Sequence, residues 1–235
     1  MSDVPEPVVL DRVATERGEL VLRRDGRHLE VISNGVFLMD TRDGRSERQL
    51  VRAALDARPA AGRILIGGLG AGFSLREAVA DPVPRRIDVV ECESRIVAWH
   101  QTHFADLTGE ALSDPRVHVV VADVRDHLAS NRGRYDVVCL DVDNGPDWTL
   151  SEGNAALYLP AGLQLSVSAL VTGGVLAVWS AHASEWFERL LHRHLEEVRV
   201  IEVPASLPRG APDVLYLGRR RDAGNQPELS RVTAP

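Results

Sequence analysis

The chain of 235 residues is short of aromatics, cysteine and basic charge. Aromatic residues make up only 5%, so a core must rest on Val, Leu, Ile and Ala. The two cysteines, Cys92 and Cys139, form no CxxC pair and sit in apolar, strand-like runs. They read as small buried residues in a reducing cytosol, with a metal or redox role as the alternative. The formal net charge of -7 argues against general nucleic-acid binding, which needs a basic footprint. Arg219–Arg221 is a local exception. No apolar run approaches the roughly 20 residues that span a bilayer. MSDVPEPVVLDR lacks the layout of a signal peptide. The expectation is a soluble, cytoplasmic protein with no membrane partner. No HExxH or comparable ligand set occurs. His100, His103, His192 and His194 therefore read as surface residues, and no metal is expected. There is no internal repeat.

What is present is ordinary globular composition, 44% hydrophobic and 26% charged. Residues 19–23 and 28–39 alternate apolar and polar side chains around turn signals at Asp25-Gly26 and Asn34-Gly35. They predict a small antiparallel β-unit within residues 1–45, after a loose Pro-rich start. A helix is expected at about 46–57. Beyond it, RILIGG, RIDVVE, RVHVVVAD, YDVVCLDVD and GGVLAVWS are near-continuous apolar strands. Helical segments separate them: FSLREAVA, SRIVAWHQTHF, VRDHLAS, residues 160–171, and SEWFERLLHRHL after the last. This alternation predicts a parallel sheet covered on both faces. EVRVIEVP and PDVLYLGR, joined by SLPRGA, are too close for a crossover helix and should pair antiparallel. The fold class is thus α/β: a Rossmann-like doubly wound sheet over residues 46–218. Five parallel strands plus a terminal antiparallel hairpin match, by analogy, the S-adenosylmethionine (SAM) methyltransferase type. Residues 219–235 are polar, aperiodic and expected to be disordered.

The stretch ILIGGLGAGFSL runs strand, glycines, helix. Glycines permit a sharp turn and close ligand approach. The helix start favours an electronegative group. A phosphate-binding Walker loop would end in GK[ST], which is missing. A dinucleotide fingerprint needs GxGxxG; Gly68, Gly70 and Gly72 give GxGxG, with Phe73 at the third glycine position. That form suits a nucleoside with an amino-acid-like tail, an adenosine sulfonium. Glu91 ends the next strand, where an acid can accept from ribose hydroxyls; a helix-cap carboxylate is the bland alternative. Asp123 ends the third strand. It can accept from an adenine amino group or simply cap the following helix.

YDVVCLDVDNGPDW places Asp141, Asp143, Asn144 and Asp147 at the carboxyl end of the fourth strand, where open α/β sheets bind ligands. Clustered carboxylates there can bind a cationic acceptor, and one can take a proton from an attacking amine. Asp141, at the strand end, is the catalytic candidate. Asp143 and Asp147 read equally as turn formers; with Mg²⁺ they would be ligands. Trp148, Tyr158 and Trp179 could line an acceptor pocket by cation–π contact, and Trp179 could also be plain core.

Together these stretches resemble the spermidine synthase family, the polyamine aminopropyltransferases, over roughly residues 19–200. LIGGLGAGFSLREAV is similar to that family's glycine loop and helix. VVECES is similar to its ribose-acid strand at Glu91, and DPRVHVVVADVRDHL to its third-strand segment, with Asp123 at the adenine position. YDVVCLDVDNGP matches the strand and loop of the catalytic carboxylate, which falls on Asp141. The resemblance implies a class I SAM-dependent methyltransferase fold, a small-molecule amine acceptor and a homodimer. The departures matter as much. Where the family loop holds the aminopropyl amine of decarboxylated SAM with an Asp, this chain has Ala71. The family's second loop acid is Asn144, and its ligand-contacting motif before the loop reads Glu47-Arg48-Gln49. Loss of the loop Asp would admit the carboxylate of intact SAM, partnered by Arg48 or Gln49. The expectation is therefore a spermidine synthase-like transferase using intact SAM for methyl transfer, with 3-amino-3-carboxypropyl transfer also possible. The alternatives are an aminopropyltransferase using decarboxylated SAM and a non-catalytic binding protein on a retired fold.

Overall fold

A computed structural model describes residues 6–149, 152–204 and 211–222. The first four strands are β1 (Val8–Thr15), β2 (Gly18–Asp25), β3 (His28–Ser33) and β4 (Val36–Asp40). They form an antiparallel sheet in chain order. Strand structure begins at Val8, inside the stretch expected to be loose, because β1 pairs along β2 from Val8↔Arg24 to Thr15↔Gly18. Leu20, Leu22 and Val31 pack onto Ile96, Trp99 and Phe104 of the following domain. One carboxylate fixes that docking: Asp11 accepts from the Trp99 indole at 2.7 Å and from Arg95 Nε at 2.9 Å.

The second sheet has seven strands: β5 (Arg63–Gly67), β6 (Arg86–Glu91), β7 (Val117–Val121), β8 (Tyr135–Leu140), β9 (Leu170–Ser180), β10 (Leu195–Val203) and β11 (Asp213–Arg220). Their order is β10-β11-β9-β8-β5-β6-β7. The pairs β5·β6, β5·β8, β6·β7 and β8·β9 are parallel. β11 enters antiparallel between β9 and β10. This is the expected doubly wound sheet with its terminal hairpin. Eight helices are present among the described residues: α1 (Arg45–Ala57), α2 (Phe73–Ala80), α3 (Ser94–His100), α4 (Ala105–Leu112), α5 (Val124–Ser130), α6 (Glu152–Tyr158), α7 (Pro160–Ala169) and α8 (Glu185–His194). One apolar cluster joins α1 and α2 to one face of the sheet, and a second joins α7 and α8 to the other.

Three expectations need correction. The single helix read over 94–104 is two, α3 and α4, broken where the His103 and Phe104 amides both bond back to the Trp99 carbonyl. α6 fills part of the stretch read as loop. Arg219 and Arg220 belong to β11 rather than to a disordered tail. Arg219 donates to the Ala57 and Gly173 carbonyls at 3.0 Å each, which ties the strand to α1 and the start of β9. The SLPRGA connection apart from Ala211, and residues 223–235, lie outside the described residues. No helix among those described is long and apolar enough to cross a membrane.

Candidate active site

The carboxyl ends of β5, β6 and β8 open onto a cavity of about 390 Å³, roofed by the N-terminal sheet through Leu38 and Met39. Three glycines build its floor for three different reasons. Gly68 (φ +92°) lies so close to the end of β8 that a Cβ would sit 2.2 Å from the Asp141 carbonyl oxygen. Gly72 (φ +86°) presses on α4, where a Cβ would meet Thr108 Cγ2 at 2.1 Å. At Gly70 (φ +51°) a Cβ would meet only Met39 Sδ, at an ordinary 3.7 Å, so glycine is needed there only for its backbone angle. All three line the cavity, as expected, and Ala71 lies among them.

At one end of the cavity lie Glu91 and Asp123. Glu91 is buried and accepts from the Leu69 amide at 3.0 Å and the Glu93 amide at 2.8 Å, which anchors the glycine loop to β6. Burial raises its pKa, and the backbone donors oppose that rise. Asp123 caps α5 through the Arg125 amide at 2.8 Å and is bridged by the Arg125 guanidinium at 3.1 Å. Both of its oxygens thus have partners while it faces the cavity. Arg17 lines this end too, with its guanidinium 3.4 Å from the Cys92 carbonyl.

At the other end three carboxylates converge from distant segments. Asp141, at the end of β8, accepts from Ser74 Oγ at 2.7 Å. Glu47, in the first turn of α1, accepts from Ser46 Oγ at 2.9 Å. Asp213 opens β11, with Ser46 and the Trp179 indole beside it. The Trp179 N–H is buried without a well-formed hydrogen bond. Burial is the main cause that raises the pKa of all three. The charge of Asp141 adds to the effect at Glu47, and that of Asp213 to the effect at Asp141.

Nine acidic side chains line the cavity: Asp40, Asp43, Glu47, Glu91, Glu93, Asp123, Asp141, Asp143 and Asp213. Among the described lining residues Arg17 is the single cation. The chain has no lysine, so arginine supplies its permanent side-chain cations. Several rim acids are already bridged: Asp40 by Arg42 and Asp43 by Arg45. Among the described residues Glu47, Asp141 and Asp213 have hydroxyl neighbours and no arginine bridge.

The expected substrate residues divide. Asp143, Asn144 and Trp179 line the cavity. Asp143, itself at φ +60°, accepts from the Asn144 amide at 2.8 Å and from Asn154 Nδ2 at 2.7 Å, so it also shapes its own turn. Trp148 is 52% exposed and lies outside the cavity. Tyr158 is buried behind it and donates to the Val142 carbonyl, supporting the loop from below. Asp147 is exposed and accepts from the Trp186 indole. Among the described residues no three His, Cys, Asp or Glu are grouped to hold a metal.

Gln49 is the clearest miss. α1 buries Ser46, Leu50, Val51 and Ala54, so its helical repeat aims Ser46 and Glu47 inward and Gln49 into solvent. Arg48 lies over the Phe73 ring at 5.1 Å and does not line the cavity. His100, read as a surface residue, is buried under the glycine loop.

The region from α1 through most of β10, residues 45–200, matches the spermine/spermidine synthase domain. The chain belongs to that family. Among relatives, polyamine aminopropyltransferase 2 of Ralstonia nicotianae is 26% identical over 207 residues, covering 87% of this chain and 35% of that protein. The polyamine aminopropyltransferase of Mycobacterium tuberculosis is 29% identical over 177 residues, covering 74% and 32%. This chain therefore spans about a third of the length of these curated relatives. A spermidine synthase in complex with the transition-state analogue AdoDATO superposes with a TM-score of 0.78 at 16% identity, covering 90% of this chain and 73% of that one. Spermidine synthase from Thermotoga maritima gives 0.75 at 15%, covering 90% and 72%. These two likenesses support the fold.

Proposed function

We propose that this family member transfers an aminopropyl group from decarboxylated SAM to a small amine. The observation that carries the reading is the convergence of Glu47, Asp141 and Asp213 at one cavity end without an arginine bridge among the described residues. An unbridged buried carboxylate favours a cationic ligand, which restores its charge. The same surroundings repel the carboxylate of intact SAM. The methyl-transfer expectation needed Arg48 or Gln49 as a cationic or polar partner there, and neither lines the cavity. Membership of the aminopropyltransferase family weighs the same way.

In this reading the acceptor nitrogen, as a free amine, attacks the aminopropyl carbon bonded to sulfur. The new C–N bond takes the nitrogen lone pair. The C–S electrons go to the sulfonium, which leaves as neutral methylthioadenosine. Asp141 accepts the proton that the nitrogen sheds and passes it to solvent. Burial raises the Asp141 pKa to about 6, so it is mostly ionised at neutral pH yet a stronger base than an exposed aspartate. Glu91 and the glycine loop position the adenosine.

The test is incubation with decarboxylated SAM and a panel of diamines and polyamines, measuring methylthioadenosine. Release with at least one amine supports the reading. No release there, with S-adenosylhomocysteine formed from intact SAM, would restore the methyl-transfer alternative, which Ala71 still favours. Binding without either product would mark a non-catalytic binding protein.

A further inference from the structure

His100 lies outside the cavity and takes no part in the proposed reaction. Its ring is 1% exposed and stacks on Phe104 at 4.9 Å. Nε2 is 2.9 Å from the Gly70 carbonyl oxygen, and Nδ1 is 2.6 Å from Thr108 Oγ. A carbonyl can only accept, so Nε2 carries the proton. Burial keeps the ring neutral, so Nδ1 accepts, and the Thr108 hydroxyl donates to it across the shorter 2.6 Å contact rather than to the Phe104 carbonyl at 3.2 Å. The same two residues also meet the other side of Ala71. A Cβ on Gly72 would lie 2.1 Å from Thr108 Cγ2 and 3.2 Å from His100 Cε1. The glycines on either side of Ala71 therefore rest on one His–Thr pair, one held by a hydrogen bond and the other by contact.

We propose that His100, oriented by Thr108, is a positioning residue that fixes the Gly70–Ala71–Gly72 turn against a bound nucleoside. The Gly70 carbonyl points at the buried His100 ring from a turn built on positive φ angles, and among the described residues His100 is its hydrogen-bond donor. Losing its donor frees the peptide to rotate. The loop then no longer presents one surface to the ligand. The choice of nucleoside probe rests on the proposed function; the hydrogen-bond geometry does not.

Three measurements on the full chain test this. Long-range proton–nitrogen NMR of the imidazole should show the Nε2–H tautomer; an Nδ1–H tautomer would overturn the proposal. His100→Leu removes the donor, whereas the side-chain amide of His100→Gln can still reach the carbonyl. Hydrogen exchange in the Ile66–Phe73 segment should rise about tenfold in the Leu variant and stay within about threefold in the Gln variant. Affinity for methylthioadenosine should fall about tenfold for Leu and recover for Gln, compared at equal folded fraction. Thr108→Val, which keeps the contact with Gly72, should show the same pattern more weakly and serves if the Leu variant does not fold. Leu and Gln variants that behave alike, or unchanged loop exchange in the Leu variant, would overturn the proposal. If wild-type protein fails to bind methylthioadenosine, the proposed function falls, while tautomer and exchange still decide the role of His100.

Discussion

The two ends of the cavity are both acidic, yet they are in different chemical states. At the end beside the glycine loop, Glu91 accepts from two backbone amides and Asp123 is capped and bridged by Arg125. These carboxylates are satisfied before any ligand arrives. They serve as shaped acceptors, ready for hydroxyl or amino donors. At the opposite end, Glu47, Asp141 and Asp213 crowd one another beside hydroxyls and an indole; Arg45 and His182 act on Asp213 from farther off, and no ion pair forms among the described residues. Their ionisation is disfavoured in the free protein, and a cationic ligand would favour it. The same residue type is thus hydrogen-bonded and charge-paired at one end and, among the described residues, left without an ion pair at the other, where the proposed function would place a cation. Arginine and backbone donors make the difference.

The largest expected effect breaks the comparison at Asp141. Asp141→Asn should lower methylthioadenosine release about a thousandfold while leaving methylthioadenosine affinity within about threefold, because only the proton acceptor is lost. Steady-state rates and calorimetry check this. Glu47→Gln and Asp213→Asn should raise the amine KM by about tenfold each, with kcat changed less, since each removes one charge facing the cation. Neither should alter nucleoside binding, and equal losses at both cavity ends would erase the distinction drawn here.

The pH dependence sharpens it. The Glu47 pKa is pushed up to about 8, above its unfolded value. A raised carboxylate pKa gives stability that is fully present below the unfolded pKa and is lost as pH rises through the folded one. The ligand-free protein should therefore lose stability between about pH 5 and pH 9. Glu47→Gln should flatten that loss, by roughly 1 kcal/mol or a few degrees in Tm, followed by thermal unfolding across pH. An added diamine should reverse the loss in wild type and release protons on binding near pH 7. The smallest effect is expected outside the cavity. Trp148→Ala should change stability by less than about 0.5 kcal/mol and leave amine preference intact.

Much of this was legible in the chain. The apolar runs around Ile64–Ile66 and Ile87–Val90 predict buried parallel strands because both sheet faces are covered. The GxGxG spacing places the loop, and Glu91, Asp123 and Asp141 follow at strand ends. The break between α3 and α4 was not legible, since no Gly or Pro marks it. Glu47 could have been found: Leu50, Val51 and Ala54 set a helical stripe that includes Ser46 and Glu47 and leaves out Gln49. Asp213 is harder. An antiparallel strand presents its amino end where its parallel neighbours present their carboxyl ends. The pairs Val214↔Ser180 and Leu215↔Trp179 therefore carry Asp213 to the cavity edge. That placement depends on long-range register, which local pattern does not encode. His100 was misread because polarity on a helix suggests solvent, and nothing nearby in sequence announces the Gly70 carbonyl.

The last strand of the chain, β11, lies between β9 and β10, and this divides the candidate site along the sequence. A chain folded only as far as β9 would already hold the glycine loop, Glu91 and Asp141, and so could hold a nucleoside. It would lack Asp213 and the strand that pairs with Trp179. On the proposed function, the groups that would favour a cationic amine are completed only by the last strand of the chain.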